Sequence, residues 1–396
     1  MIEEHKDVVQ NVEEEEILAL VEEMVKIPSH QNVEDEEKEL AHFLRDRLEA
    51  AGIETELQEV ADNRANVFGR VGQGGPGKTL MLNGHMDTVP PGNMSGPFTP
   101  RRKNGRLYGR GAVDMKGALG AMVYAAEIIQ ESGIDLDGQL LIAGVVGEES
   151  GSPGTHYITE HGPRADLAVV GEPTELKVGV AHKGIEWLRI EVEGKSAHAS
   201  VPHEGINAVY RATEVVQALR KKLIPLLEEK HDELLGAPTF NVGVIRGGSY
   251  PNIVPDQCRL EIDRRWIPGE SLSSIYREVE QILDDLSDDL PEFKFSMEQM
   301  EEVGNFTHTP LDTDPDHPLV KTCQAILEDL GRDITVSGVT YWSDAALLSD
   351  GADIPSVVLG PGSIDQAHGP QEYVNIEQLS EAVKVYLLLA LEICNS

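Results

Sequence analysis

The chain has 396 residues, with 69 Asp or Glu against 33 Lys or Arg and a formal net charge of −36. So anionic a surface repels phosphate backbones and excludes nucleic acid as an expected partner, while the length points to two domains rather than one small core. Cys258, Cys323 and Cys394 are scattered and odd in number. They fit a reducing, cytoplasmic setting, and without zinc-finger spacing any metal must be held by His and carboxylates. The acidic start (Glu3, Glu4, then Glu13 to Glu16) is the opposite of a signal peptide, and no apolar run reaches membrane-spanning length.

In chain order, residues 13–28 and 35–51 carry helical spacing, with Ile17, Val21 and Met24 on one and Leu40, Leu44 and Leu48 on the other. Gly52 follows as a helix terminator. Strands are expected at 54–60, 66–71 and 79–84. Between the last two, Gly72 to Thr79 satisfies the phosphate-loop pattern Gly-x-x-x-x-Gly-Lys-Thr. That pattern works only when a helix opens after the lysine, and Leu-Met-Leu-Asn-Gly-His is too short and too glycine-punctuated to be one. A glycine-rich loop is expected, with nucleotide binding as a remote alternative.

The apolar run Leu80–Leu82 rises into Gly84-His85-Met86-Asp87 and then Pro90-Pro91. A buried strand that delivers an imidazole and a carboxylate at its C-terminal end suits a metal, with Asp87 fixing the His85 tautomer. Gly109 to Gly117 opens a long helix along which Met115, Leu119, Met122, Ala126 and Ile129 share one face. Asp114 at its start reads either as a cap or as a carboxylate aimed into the same cleft. Leu140–Val146 is the next buried strand and ends in Glu148-Glu149, costly neighbours unless exposed or bound to cations. Leu167–Val170 repeats the theme and ends in Gly171-Glu172.

From about residue 184 the texture changes. Leu188, Ile190 and Val192 alternate with Arg189, Glu191 and Glu193, the mark of a strand with one wet face. A helix at 206–222, strands at 239–246 and 257–265, a helix at 271–287 and a strand at 293–299 complete a β-α-β-β-α-β, ferredoxin-like unit inserted in the first domain. It carries the loop Ser196–His203, the stretch Asn252–Asp256, and a strand on which Asp263 and Arg265 share the polar face. Alternation favours Arg265 over Arg264 as a ligand-facing residue. The division expected is therefore 1–184 and 301–396 for a metal-binding domain and 185–300 for the insertion.

The α/β pattern resumes with a helix at 317–330, a strand at 333–337, Ser343-Asp344 opening a short helix, and a strand at 355–360. The loop Gly360–Pro370 carries His368. The last helix has Leu379, Ala382, Val383, Tyr386, Leu387 and Ala390 on its apolar face, with Asn375 and Gln378 resembling a capping box.

His85, Asp114, Glu149, Glu172 and His368 make a set of two imidazoles and three carboxylates. One carboxylate bridging two ions, with one His and one further carboxylate for each, gives a balanced dinuclear site. Nitrogen and oxygen donors suit zinc, with cobalt or manganese as substitutes. Two ions roughly 3.5–4 Å apart supply an activated water and polarise a carbonyl. Glu148, next to a ligand yet spare, is the natural general base.

With these motifs in order and together, the chain resembles the metallopeptidase and deacylase family of acetylornithine deacetylase, succinyl-diaminopimelate desuccinylase, the aminoacylases and glutamate carboxypeptidase. The resemblance implies an open mixed sheet with helices on both faces, of zinc-exopeptidase type, and an inserted lid domain. It implies that His85 and Glu172 bind one metal, Glu149 and His368 the other, and Asp114 bridges. Asp87 would support His85 and Glu148 would act as base. His198 would stabilise an oxyanion, often from a neighbouring subunit. Asn252 and Arg265 would hold a substrate carboxylate, and Gly360 and Gly362 would line a substrate-backbone loop. The activity so implied is cleavage of N-acyl amino acids, with a carboxypeptidase or dipeptidase as alternative. The implied assembly is a homodimer formed through the insertion.

Overall fold

The computed structural model describes residues 5–300 and 307–396. It divides into two compact units. The first holds Met1–Ala181, Leu311–Val339 and Ser343–Ser396, and the second His182–Pro310 and Thr340–Trp342. The 300/301 boundary expected from sequence abuts residues outside those described.

The first unit is built on a mixed sheet flanked by helices. Its strands run in the spatial order Glu54–Ala61, Arg64–Val71, Gln139–Val145, Thr79–His85, Leu167–Val170, Ser356–Val358, Gly179–His182 and Leu311–Asp312, with Ser337–Val339 pairing beside Gly179–His182. The four strands at the centre are parallel: His85 pairs with Val145, Asn83 with Val170, and Ser356 with Ala168. Each is short, mostly apolar and largely buried, as a strand covered on both faces is. Their C-terminal ends therefore lie along one edge. There His85, the Glu148–Glu149 turn, Glu172 and the 360–372 loop all leave the sheet.

Two helices depart from the one-sided pattern read from sequence. Every residue from Lys116 to Ile129 in the helix Lys116–Ser132 is buried. In Ile376–Cys394, Val385, Leu388, Leu389 and Leu391 are buried as well as the expected face. These two helices pack on each other and against the sheet, which buries most of both, while Glu377, Glu381, Lys384 and Glu392 keep a partly solvated charged stripe on the second.

Asn375 is the N-cap of the last helix but makes no side-chain cap bond. The Gln378 Oε1 atom instead accepts the Gly362 amide at 2.7 Å, so the capping box expected there does not form. The strand expected at 333–337 is confined to Ser337–Val339, and the short helix at 343 is a single wide turn, Leu347–Gly351. No described helix is long and apolar enough to cross a membrane.

The second unit has the β-α-β-β-α-β order. Its four-stranded antiparallel sheet runs Thr239–Gly247, Gln257–Trp266, Gly184–Glu193, Lys294–Gln299, with helices Ala208–Glu228 and Leu272–Asp289 packed on one face. The Asn207 side chain caps the first helix by accepting the Val209 and Tyr210 amides. Alternation puts Leu188, Ile190 and Val192 against Leu260 and Ile262 in one core.

Candidate metal centre

The strand Thr79–His85 ends with the His85 imidazole 1% exposed. Its Nδ1 lies 2.9 Å from the Asp87 carbonyl oxygen and 3.3 Å from Asp87 Oδ1. Its Nε2 lies 3.0 Å from Asp114 Oδ1 and 3.5 Å from Glu172 Oε1. One face of the ring is thus held by Asp87, and the other nitrogen looks into a nest of carboxylates.

Asp87 does more than orient the ring. Its Oδ1 accepts the Glu148 amide and its Oδ2 the Glu149 amide, each at 3.0 Å. Gly147 makes that turn possible: its φ is +76°, and a Cβ there would meet Arg64 Nη2 at 2.7 Å and Pro153 at 2.8 Å. The chain leaves the strand Gln139–Val145, turns at once, and presents Glu148 and Glu149 in a single 3₁₀ turn.

Asp114 precedes the helix that begins at Lys116, where Met115 occupies the cap position. The cap alternative is therefore set aside and the carboxylate points into the cluster. It is 6% exposed and gives one oxygen to each imidazole: Oδ1 to His85, and Oδ2 to His368 Nε2 at 3.0 Å. His368 Nε2 is also 2.8 Å from Glu149 Oε1. Ligand atoms of His85, Asp114 and Glu149 all lie within 4.8 Å of one another. The buried Glu172 Oε1 has no hydrogen-bond partner among the described residues.

The electrostatics follow from that packing. Burial, followed by the Asp114 charge, raises Glu172 well above the usual carboxylate range. Burial likewise raises Glu148, and the nearby His85 only partly offsets it. Burial would raise Asp114 too, but its bonds to His368 and His85 outweigh it and hold the carboxyl below its ordinary value. Asp114 and Glu149 together push His368 up to about 10.

Buried carboxylates at this density call for cations. The two imidazole Nε2 atoms and the orphaned Glu172 oxygen supply the donor types zinc takes. Two ligands of one tetrahedral zinc stand about 3.3 Å apart, given bonds of ~2.0–2.1 Å. The 3.0 Å imidazole–carboxylate pairs are already near that spacing.

Gly360 and Gly362 are close to this cluster but already engaged. The Gly360 amide donates to Thr174 Oγ1 and its carbonyl accepts from Thr174 and Leu176. The Gly362 amide donates to Gln378. Their main chain braces the segment after Glu172.

His198, Asn252 and Arg265 lie in the second unit. His198 pairs across a two-residue ladder with Ile253, beside Asn252, whose carbonyl accepts the Ala199 amide. The His198 Nδ1 lies 2.7 Å from Ser200 Oγ. Arg265 is on the open face of the sheet, paired with Asp263 at 2.9 Å. Arg264 is fully buried and bonded to Glu270.

The loop Gly72–Lys78 is followed by the strand Thr79–His85, with no helix to face a phosphate. The Gly77 amide is bonded to the Asp137 carbonyl, the Thr79 amide to Asp166, and the Lys78 ammonium to Ser396. The nucleotide alternative is corrected on that ground.

Sequence reading missed a buried ion pair beside the cluster, Arg110 with Glu372, and a buried carboxylate, Asp344. Arg110 and Glu372 are 2% and 0% exposed. Asp344 is bonded to Thr155 at 2.7 Å and raised by burial to about 6. Neither carboxylate is flagged by a motif. Their only signal is a charge set among apolar or glycine-rich neighbours.

Two imidazoles and three carboxylates gathered at the C-terminal edge of the parallel strands are donors of the types that metal-dependent hydrolases use. The description "Peptidase family M20/M25/M40" matches residues 81–392, and the chain belongs to that family. It is 34% identical to acetylornithine deacetylase of Vibrio cholerae over 359 residues, covering 86% of this chain and 88% of that protein. It is 28% identical to the N-formyl-4-amino-5-aminomethyl-2-methylpyrimidine deformylase of Bacillus subtilis, covering 100% and 96%. Among solved structures it resembles a tripeptidase from Staphylococcus aureus, with a TM-score of 0.78, 25% identity, and 97% and 99% of the two chains covered.

Proposed function

We propose that the protein removes the acyl group from N-acyl amino acids. In this reading His85 and Glu172 would hold one divalent ion, Glu149 and His368 would hold a second, and Asp114 would be shared by both. The carrying observation is the Asp114 carboxylate with one oxygen 3.0 Å from each imidazole. Zinc fits the donors, and cobalt or manganese would replace it.

When bound, such ions supply an acidified water and polarise the amide carbonyl. Glu148 takes the proton from the attacking water and passes it to the amine nitrogen as the C–N bond breaks. Burial and the surrounding carboxylates raise its proton affinity, which suits a group that must hold that proton between the two steps. Asp87 keeps the base and the ligand turn in register through two amide bonds. His198 stabilises the oxyanion, and Asn252 and Arg265 bind the substrate carboxylate. Homodimerisation through the second unit and a cytoplasmic location belong to the same reading.

Peptide cleavage is the second reading, favoured by the likeness to the Staphylococcus aureus tripeptidase. Metal analysis of purified protein, with rates on N-acetyl, N-succinyl and N-formyl amino acids against di- and tripeptides, separates the two. Faster turnover of acyl amino acids supports deacylation, and faster turnover of peptides the alternative. A protein that carries two ions yet cleaves neither class overturns both.

A further inference from the structure

The strand Arg106–Tyr108 leads directly into the segment that carries Asp114, and the strand Tyr373–Asn375 follows directly from the loop that carries His368. These strands pair antiparallel, Tyr108 against Tyr373. The register brings residues 109–114 and 368–372 side by side although they are more than 250 positions apart in sequence. Behind the Asp114–His368 contact lies a buried ion pair, Arg110 with Glu372. Glu372 Oε2 takes Arg110 Nη1, while Oε1 accepts the amides of Val113 at 3.1 Å and Asp114 at 3.3 Å. The other terminal nitrogen of Arg110 stands 3.5 Å from the carbonyl oxygens of both His368 and Gly369. His368 itself has a φ of +58°, a left-handed conformation that non-glycine residues adopt only where the surroundings impose it.

We propose that Arg110 and Glu372 are positioning residues that fix the separation of Asp114 and His368 from behind, so that an ion can be held between them. This rests on the metal reading above. The two candidate ligands are tied twice: directly, through Asp114 Oδ2 and His368 Nε2, and indirectly, from the Asp114 amide through Glu372 and Arg110 to the His368 carbonyl. An ion entering between the side chains replaces the direct contact. The indirect tie then remains to hold the two backbones in register. A buried ion pair is a poor source of stability in its own right. Its use here is geometric: the guanidinium fork reaches a carboxylate on one side and two carbonyls on the other, which a lysine ammonium cannot match in shape.

The test is titration of metal-free wild type, Arg110→Lys, Glu372→Gln and the double variant with Co2+. Calorimetry gives each affinity, the visible spectrum reports coordination, and thermal unfolding of the metal-free forms reports the fold. Arg110→Lys is the milder change, should Glu372→Gln fail to fold. Expected are folded variants in which one ion binds within a few-fold of wild type and the other about 10–100-fold more weakly, with an altered spectrum. The double variant should lose no more than the worse single one, as residues acting as a unit do. Folded variants that bind both ions with wild-type affinity and spectrum overturn this proposal alone. So does a loss shared equally by both ions and proportional to lost thermal stability, because a merely structural pair behaves that way. A wild type that takes up no ion overturns the metal reading, and this proposal with it.

Discussion

Asp87 accepts the main-chain amide of Glu148 at 3.0 Å while its own carbonyl and carboxylate hold the ring of His85. One residue, through its carbonyl and its carboxylate, therefore sets both the ring of a candidate ligand and the position of the candidate base. Asp87→Ala should weaken metal binding about 10–100-fold and lower kcat as well, because the Glu148–Glu149 turn loses its two acceptors. Asp87→Asn, which keeps an acceptor for one amide, should fall between it and wild type. Metal titration and steady-state kinetics on the same preparations check this.

Glu148→Gln should retain metal content and fold yet lose about 10²–10⁴ in kcat, the range for removing a general base. Elemental analysis beside turnover is the measurement. Normal hydrolysis by the variant would remove Glu148 from that role.

His368 in the metal-free protein is raised to about 10 by Asp114 and Glu149. A raised folded-state value means stability fully present below the ordinary value of about 6.5 and lost as pH climbs through 10. Thermal unfolding of the metal-free form should therefore move to lower temperature between about pH 7 and 10. Ion uptake near pH 7 should release protons, since a ligating imidazole nitrogen must be bare. Calorimetry in buffers of different ionisation heat reads that release directly, and a buffer-independent heat would contradict it.

Lys78→Ala should leave both turnover and metal content unchanged, because the Lys78 ammonium bonds the Ser396 hydroxyl at the surface. The variant and wild type should be equally indifferent to ATP in an equilibrium binding assay.

Gly147→Ala should destabilise the first unit by about 1–3 kcal/mol, through a φ of +76° and the contact with Pro153. It should also loosen the turn that carries Glu148. Denaturant unfolding, read beside kcat, tests both halves.

Three of the four parallel strands, Thr79–His85, Gln139–Val145 and Leu167–Val170, announced themselves because each is a short, mostly apolar run soon followed by glycine or histidine and a carboxylate. His85, Glu149 and Glu172 were legible for the same reason, the strand direction alone sending them to one edge. Asp114 stood between two readings that only the helix start at Lys116 separates. The Arg110–Glu372 pair was invisible, since it arises from the pairing of two three-residue strands that no local pattern links. Gln378 was misread as a cap because its partner, Gly362, approaches from a distant loop. Local periodicity reports which face is buried, whereas the partner of a buried polar group is set by tertiary pairing.

Between Glu172 and His368 the chain makes the whole of the second unit. During synthesis the acidic cluster around His85 therefore exists for well over a hundred residues before its last imidazole emerges from the ribosome. Ion capture by the full donor set must be a late event. A chain stopped within the second unit would carry the residues proposed for one ion, His85, Asp114 and Glu172, but lack His368 for the other.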